Sequence, residues 1–316
     1  MRRQLPALVA LITAIVWGVN FPFLKIALAE LSPLAFTFWR YLLMLALAWA
    51  VLAWQHRRTG MPVTVEPADY PRLALAGVLG FSLYMVFSIV GVSETTAFSN
   101  ALMIALAPLF SALLLVAWRM ERIRGSQVIG MVLSLAGVVI FLADKARGGV
   151  GIATIGDLLS LLAALFYAAY TVSLKPLLGR YPATVVTAYT LSIGAVPVLW
   201  LSAPALLVQD WGRVDLAGWS VLLWASIFPV YAAWTAWSWA TARAGVARTN
   251  VFLYLVPIVS GVVAFFLLGE PFGPLKLAGA ALALSGLVLA RRGTATQAKG
   301  SGARSGSIQA SRAASP

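Results

Sequence analysis

Few side chains in this sequence are equipped for chemistry, and those that are lie inside long apolar runs. Arg40 stands six residues beyond Leu34, where one such run begins, and so about 9 Å inward if the run is helical. A guanidinium at that depth in lipid is costly unless it faces a cavity, a partner or the headgroups. It can anchor a carboxylate, which its planar fork matches bidentately; it can equally reach outward or pair with Glu30. Aromatic side chains recur at similar depth: Trp17, Tyr84, the pair Tyr167 and Tyr170, and the pair Tyr231 and Trp234. Each pair is spaced i, i+3 and so shares one helix face. A hydroxyl-bearing aromatic wall suits an amphipathic or aromatic metabolite, and it also suits plain packing. Asn20 and Asn100 need hydrogen-bond partners away from water. Pro108 and Pro257 each free a backbone carbonyl and permit a bend, static or mobile. The candidate substrate-binding set is thus Trp17, Asn20, Arg40, Tyr84, Asn100, Tyr167, Tyr170, Tyr231 and Trp234, with Pro108 and Pro257 as candidate gates.

No reaction chemistry accompanies this set. The chain has no cysteine, and its single histidine, His56, sits in a charged segment, so neither a thiolate site nor a metal centre is expected. No lysine follows a glycine, which removes the lysine of a phosphate-cradling loop. No H-E-x-x-H or G-x-S-x-G motif supplies a protease or hydrolase. The reading is a non-enzyme with no cofactor, no metal and no catalytic residue. Of the ten acids none falls deep in an apolar run; Asp157 and Glu94 stand at run ends. Proton coupling through a buried carboxylate would have only such boundary acids to use.

The elements that must position these residues follow from composition. Of 316 residues, 61% are hydrophobic and 10% charged, against about 25% charged in soluble domains. With a mean hydropathy of +0.90, the chain reads as an integral membrane protein. A net charge of +13 would suggest nucleic acid in a soluble protein. Here the basic residues cluster between apolar runs, so nucleic acid is not an expected partner. The expected partners are a small-molecule substrate and the lipid bilayer, with a homodimer left open.

A membrane helix takes about 20 mostly apolar residues. Ten stretches qualify: Leu5–Leu28, Leu34–Trp54, Leu73–Val92, Ala97–Trp118, Val128–Ala143, Leu158–Leu174, Ala183–Leu201, Trp219–Ala242, Val246–Leu268 and Leu275–Ala290. With the N-terminus inside, only Lys25, Arg40, Lys145, Arg147, Arg213 and Lys276 fall on the outer half, leaving 17 of the 23 Lys and Arg inside. That bias fits ten spans with both termini cytoplasmic. The opening MRRQLPALVA resembles a secretory leader, but the repeat described next argues that it stays. From Gly293 the chain is Gly/Ser/Ala-rich without an acid, so 293–316 is expected to be a disordered cytoplasmic tail.

Leu106–Arg122 aligns with Leu255–Pro271: Leu106 falls on Leu255, Pro108 on Pro257, Ser111 on Ser260 and Glu121 on Glu270, a constant offset of 149. The same register carries Gly130–Gly137 onto Gly279–Gly286, a spacing suited to close helix packing. Near an offset of 150, Trp17 meets Tyr167 and Lys25 meets Lys175. Residues 1–144 and 150–292 are therefore expected to be two repeats of five helices. Five is odd, so the second repeat enters the membrane from the opposite face. The expected fold class is an all-α integral membrane protein with ten transmembrane helices as two inverted five-helix repeats. Inverted repeats recur in secondary transporters, with the substrate site at the repeat interface near mid-membrane.

The stretch WGVNFPFLKIALAELSP, the proline-bearing helix ending in MERI, and G…LAGVVIFL are matched in the second half by VP…LLGEP and G…LSGLVL. They resemble the EamA-type repeat of the drug/metabolite transporter superfamily, over roughly residues 5–292. The resemblance implies a central cavity lined mainly by helices 1–4 and 6–9, peripheral helices 5 and 10, and export of amino acids or other small metabolites. The expectation is an inner-membrane secondary transporter that exports a small metabolite by alternating access, with an amino acid as one candidate. An organic-anion exchanger or uptake carrier is the alternative if Arg40 faces the cavity. A non-transporting polytopic scaffold or enzyme subunit is the alternative of another class.

Overall fold

The computed structural model describes residues 4–117, 125–146, 152–244 and 249–290. Glu121 and the expected tail lie outside the described residues, as do the side chains of Tyr231 and Trp234. Among the described residues the chain is helical, with no strand. In order the helices are α1 (Leu5–Glu30), α2 (Pro33–Thr59), α3 (Pro67–Glu94), α4 (Ala97–Ala117) and α5 (Gly125–Ala146). There follow α6 (Ile152–Leu178), α7 (Ala183–Ser202), α8 (Leu216–Ile227 continued to Ala244), α9 (Asn250–Tyr254 running into Leu255–Leu268) and α10 (Pro274–Ala290). Seven, α1–α4 and α6–α8, are long and apolar enough to cross a membrane; Gln127–Ala143, Phe252–Leu268 and Pro274–Ala290 are shorter apolar helices. The chain is a multi-pass membrane protein.

Local chemistry sets the helix ends. Ser32 accepts the Ala35 amide and Pro33 opens α2, where a missing N–H costs nothing. Gly60 closes α2 at φ 64°, a left-handed conformation that a side chain would strain. Asp215 accepts the Ala217 and Gly218 amides at the start of α8. Because capping and tertiary contacts, rather than hydropathy, decide where a helix stops, α6 begins six residues before the apolar run at Leu158. Asp157 is therefore inside the helix and fully buried, with the Thr95 hydroxyl donating to it at 2.5 Å. Two further acids, Asp69 and Glu270, are buried as well, although neither falls deep in an apolar run.

Four of the helices are irregular at matched positions. Within α4 the α-helical path breaks at Ala105–Leu106 before resuming at Ala107, one residue ahead of Pro108. In α9 a 3-10 stretch, Asn250–Tyr254, precedes the α-helix that contains Pro257. The α3 helix widens to a π-helix over Val78–Leu83, and α8 does the same over Phe228–Ala232. The first residues of these two stretches, Val78 and Phe228, are 150 apart.

Contacts group the chain into two compact units that cut across the sequence repeats: Met1–Leu115 with Gly148–Pro271, and Val116–Arg147 with Phe272–Pro316. In the first unit α1 packs on α8 and α9, and α6 correspondingly packs on α3 and α4. Likewise α2 lies on α7 and α8, and α7 on α3. One buried apolar cluster joins Tyr41, Met44 and Leu52 of α2 to Phe81 of α3, Tyr170 of α6 and Leu191 of α7. The second unit contains α5 and α10. There a Cβ on Gly137 would come within 2.6 Å of the Gly279 carbonyl, and one on Gly130 within 2.7 Å of the Gly286 carbonyl. Only glycine permits that approach. The earlier glycine of α5 meets the later one of α10, so the two helices run antiparallel.

Candidate functional site

Arg40 sits on the second turn of α2, seven residues after Pro33. It is 5% exposed, and its Nε has no hydrogen-bond partner. No carboxylate lies within ion-pair distance of it among the described residues. The Glu30 carboxylate accepts the Asp215 amide at 3.1 Å and makes no ion pair with Arg40. The guanidinium instead lies in the electrostatic range of the Tyr84 and Tyr41 hydroxyls, with the Phe36 ring centroid 6.0 Å away.

From Arg40 a connected aromatic chain runs across the first unit. The Tyr84 ring packs on Tyr167 with centroids 4.9 Å apart, and Tyr167 on Tyr170 at 6.1 Å. Tyr170 meets Phe81 edge-on at 5.7 Å. The circuit closes where the Tyr41 hydroxyl donates to the Phe81 carbonyl. Four of the nine expected substrate-binding residues, Arg40, Tyr84, Tyr167 and Tyr170, are thus brought together by α2, α3 and α6. The π stretch does the positioning. It puts Phe81 inside the widened turn and Tyr84 just after it, and Gly80 lets the Tyr170 ring lie against the α3 backbone. A buried cation under the electrostatic influence of two tyrosines, with the Phe36 ring nearby, can bind a carboxylate attached to an apolar body.

The remaining candidates make other contacts. Trp17 donates its indole N–H to the Pro229 carbonyl at 2.9 Å and packs on Trp237 at 5.2 Å, which ties α1 to the π stretch of α8. Asn20, 8% exposed, keeps an unpartnered Oδ1. Asn100 is fully buried, and its Nδ2 donates to the Ser88 carbonyl at 3.2 Å and the Ser160 hydroxyl at 2.7 Å. It thereby joins α4 to α3 and α6. Tyr231 falls in the π stretch of α8 and Trp234 one turn later, with side chains outside the described residues. Pro108 and Pro257 each stand just after the helix irregularity of their repeat.

Sequence reading missed the backbone side of this arrangement. In each repeat a π stretch exposes a carbonyl that an aromatic side chain from a neighbouring helix satisfies: Tyr41 at Phe81, Trp17 at Pro229. At Pro229 the sequence does announce a freed carbonyl, since proline removes an amide and crowds the preceding turn; what it does not announce is the side chain that meets it. It also missed two polar junctions at the ends of the helices. Arg180 lies 2.7 Å from both the Glu66 and the Asp69 carboxylates, and Tyr181 donates to Asp69 at 2.7 Å. Glu30 and Gln209 join the α1–α2 turn to the segment before α8. An apolar groove of about 500 Å³ lies at the start of α1, between Leu5, Leu8, Leu11 and Phe252, at the far end of that helix from the α1–α2 turn near Arg40.

Comparison with known proteins agrees with this architecture. The model of the EamA-like transporter family matches twice, over residues 4–143 and 154–292. The chain is 34% identical to a probable terminal-alkyne amino-acid exporter of Streptantibioticus cattleyicolor, over 72% of this chain and 74% of that protein. It is 29% identical to an uncharacterized transporter of Archaeoglobus fulgidus, over 90% and 98%. A probable amino-acid metabolite efflux pump of Escherichia coli is 23% identical over 89% and 92%. A solved crystal structure shares the fold at a TM-score of 0.59 and 20% identity, covering 91% of this chain and 97% of its own. Two family matches that together span nearly all the described residues place this chain in the EamA-like transporter family.

Proposed function

We propose that the protein is a secondary transporter that exports a small carboxylate-bearing metabolite across the inner membrane by alternating access. Amino acids are the first class to test, because relatives named as amino-acid exporters span most of the chain. All ten helices cross the membrane in this reading, as two inverted repeats with both termini cytoplasmic. The antiparallel approach of α5 and α10 supports the inversion, because an odd number of spans per repeat reverses corresponding helices.

The observation that carries the proposal is Arg40, buried, without an acidic partner and with an unsatisfied Nε, beside the tyrosine chain. A buried charge left uncompensated is strongly unfavourable, so an anionic ligand group is its natural counterpart. The test is thermal-shift and proteoliposome-flux screening against amino acids, organic acids and uncharged metabolites. Arg40→Ala should weaken the response to carboxylates by about 10- to 100-fold, since each charge-assisted hydrogen bond lost is worth about 1.5–3 kcal/mol. An unchanged carboxylate response overturns the anchor. Organic acids lacking an amine that exchange as fast as amino acids would favour an anion exchanger.

A further inference from the structure

Arg180 and Glu30 occupy equivalent places in the two repeats, 150 residues apart, and carry opposite charge. Each stands at the end of the first helix of its repeat, Glu30 as its last residue and Arg180 two residues beyond, and reaches across to the other repeat. On the inner face Arg180, after α6, grips Glu66 and Asp69 at the start of α3, both at 2.7 Å. Tyr181 donates to Asp69 and accepts the Glu66 amide at 3.2 Å, and Arg72 stands 3.5 Å from Asp69. The Asp69 side chain is 1% exposed, whereas that of Arg180 is 44% exposed. Carboxylates on two sides, Asp69 foremost, hold the Arg180 proton more firmly than usual, and the bond to Asp69 does the same for the Tyr181 phenol.

On the outer face Glu30, ending α1, accepts the Asp215 amide and lies against Gly218 at the start of α8. The register matches residue by residue: Glu66 corresponds to Asp215 and Asp69 to Gly218, each at an offset of 149. The same junction is thus built twice, once as an arginine between two acids and once as an acid at a helix N-terminus, where backbone amides and the helix dipole favour it. Behind the inner junction lies an apolar cluster of Leu73, Leu177 and Val186, with Leu174 packed on it. Behind the outer one lies a cluster that contains Leu24, the repeat mate of Leu174.

Resting on the transport reading above, we infer that these two junctions are the paired latches of alternating access: the Arg180 latch opens when the site faces inward, and the Glu30 latch opens when it faces outward. Breaking one must therefore bias the protein toward the face it closed. Latches at repeat-equivalent positions give opposite effects, which simple loosening of the fold cannot do.

The chain has no cysteine, so the test needs no background removal. Leu174→Cys and Leu24→Cys, made singly, report water access behind each latch through their rate of reaction with a membrane-impermeant maleimide in the purified full-length protein. Adding Arg180→Ala should speed labelling at position 174 about three- to fivefold, the population shift expected from losing a partly exposed ion-pair network, and leave position 24 unchanged or slower. Glu30→Ala should do the reverse. A salt series on the otherwise native background avoids any folding defect of the latch variants: 1 M salt should raise labelling at position 174 and spare position 24, because ion pairs are screened more than carboxylate–amide contacts near a helix end. Equal acceleration at both positions in either variant, or no change at 174 with Arg180→Ala and with salt, overturns the latches. Flux by the unsubstituted protein, measured alongside, separates the two ideas. Labelling that fails while flux persists rejects the latches alone, and reciprocal labelling with no flux for any substrate rejects the transport reading alone.

Discussion

At the scale of single residues, membrane depth turns each polar side chain into a question about its partner. Glu270 answers it fully. It is 7% exposed, and its two carboxylate oxygens accept the Ala97 amide at 2.5 Å and the Phe98 amide at 3.4 Å, at the first turn of α4. Glu270→Ala would leave both amides without that acceptor, a loss of about 1–3 kcal/mol, read as a lower melting temperature in detergent. Glu270→Gln keeps an acceptor but not the charge that the helix N-terminus favours, so its melting temperature should fall between the other two; a value equal to that of Glu270→Ala would refute the charge contribution. Arg40 answers its question only in part, because its Nε is left without a partner. Its depth was legible in the sequence because one charge in an apolar run stands out. The role of Glu270 was not, because the repeat pairs it with Glu121 but says nothing about which helix end it reaches.

At the scale of elements, Pro108 and Pro257 flag the helix irregularities that stand just before them, whereas nothing in the hydropathy flags the π stretches. A proline marks its own consequence, whereas a π turn changes the backbone register without changing hydropathy. What gives the α3 stretch away in hindsight is its glycines. A Cβ on Gly77 would stand 2.6 Å from the Thr190 carbonyl of α7, a backbone atom that cannot move aside, while one on Gly80 would meet the Tyr170 ring, which can shift. Overpacking a tight contact costs about 1–3 kcal/mol. Gly77→Ala should therefore lower the melting temperature more than Gly80→Ala. Gly80→Ala should instead have the larger effect on substrate response, because it displaces Tyr170 from the chain that leads to Arg40. The reverse order in both measurements would mean that the π stretch holds the fold rather than the site.

At the scale of the molecule, the constant offset revealed which residues are equivalent but not which copy packs on which. The two repeats interleave rather than sit side by side: α1 is held by α8 and α9 of the other repeat, and α6 by α3 and α4. The reason is in the polar contacts, several of which cross between repeats. Asn100 bonds Ser160, Thr95 bonds Asp157, Glu270 caps α4, and Arg180 pairs with Asp69. A single repeat would present these groups to lipid, at several kcal/mol for each unsatisfied one. This makes a prediction about the chain cut in two. Residues 1–144 expressed alone should be degraded or aggregate on size exclusion, whereas the same fragment co-expressed with residues 145–316 should be recovered in an equimolar complex. That complex should melt cooperatively, because buried Asp69, Ser82, Asn100, Asp157 and Glu270 each bond across to the other repeat. A monodisperse, thermally stable 1–144 fragment would mean that each repeat completes its own core, and the cross-repeat contacts would then be surface features of two independent bundles.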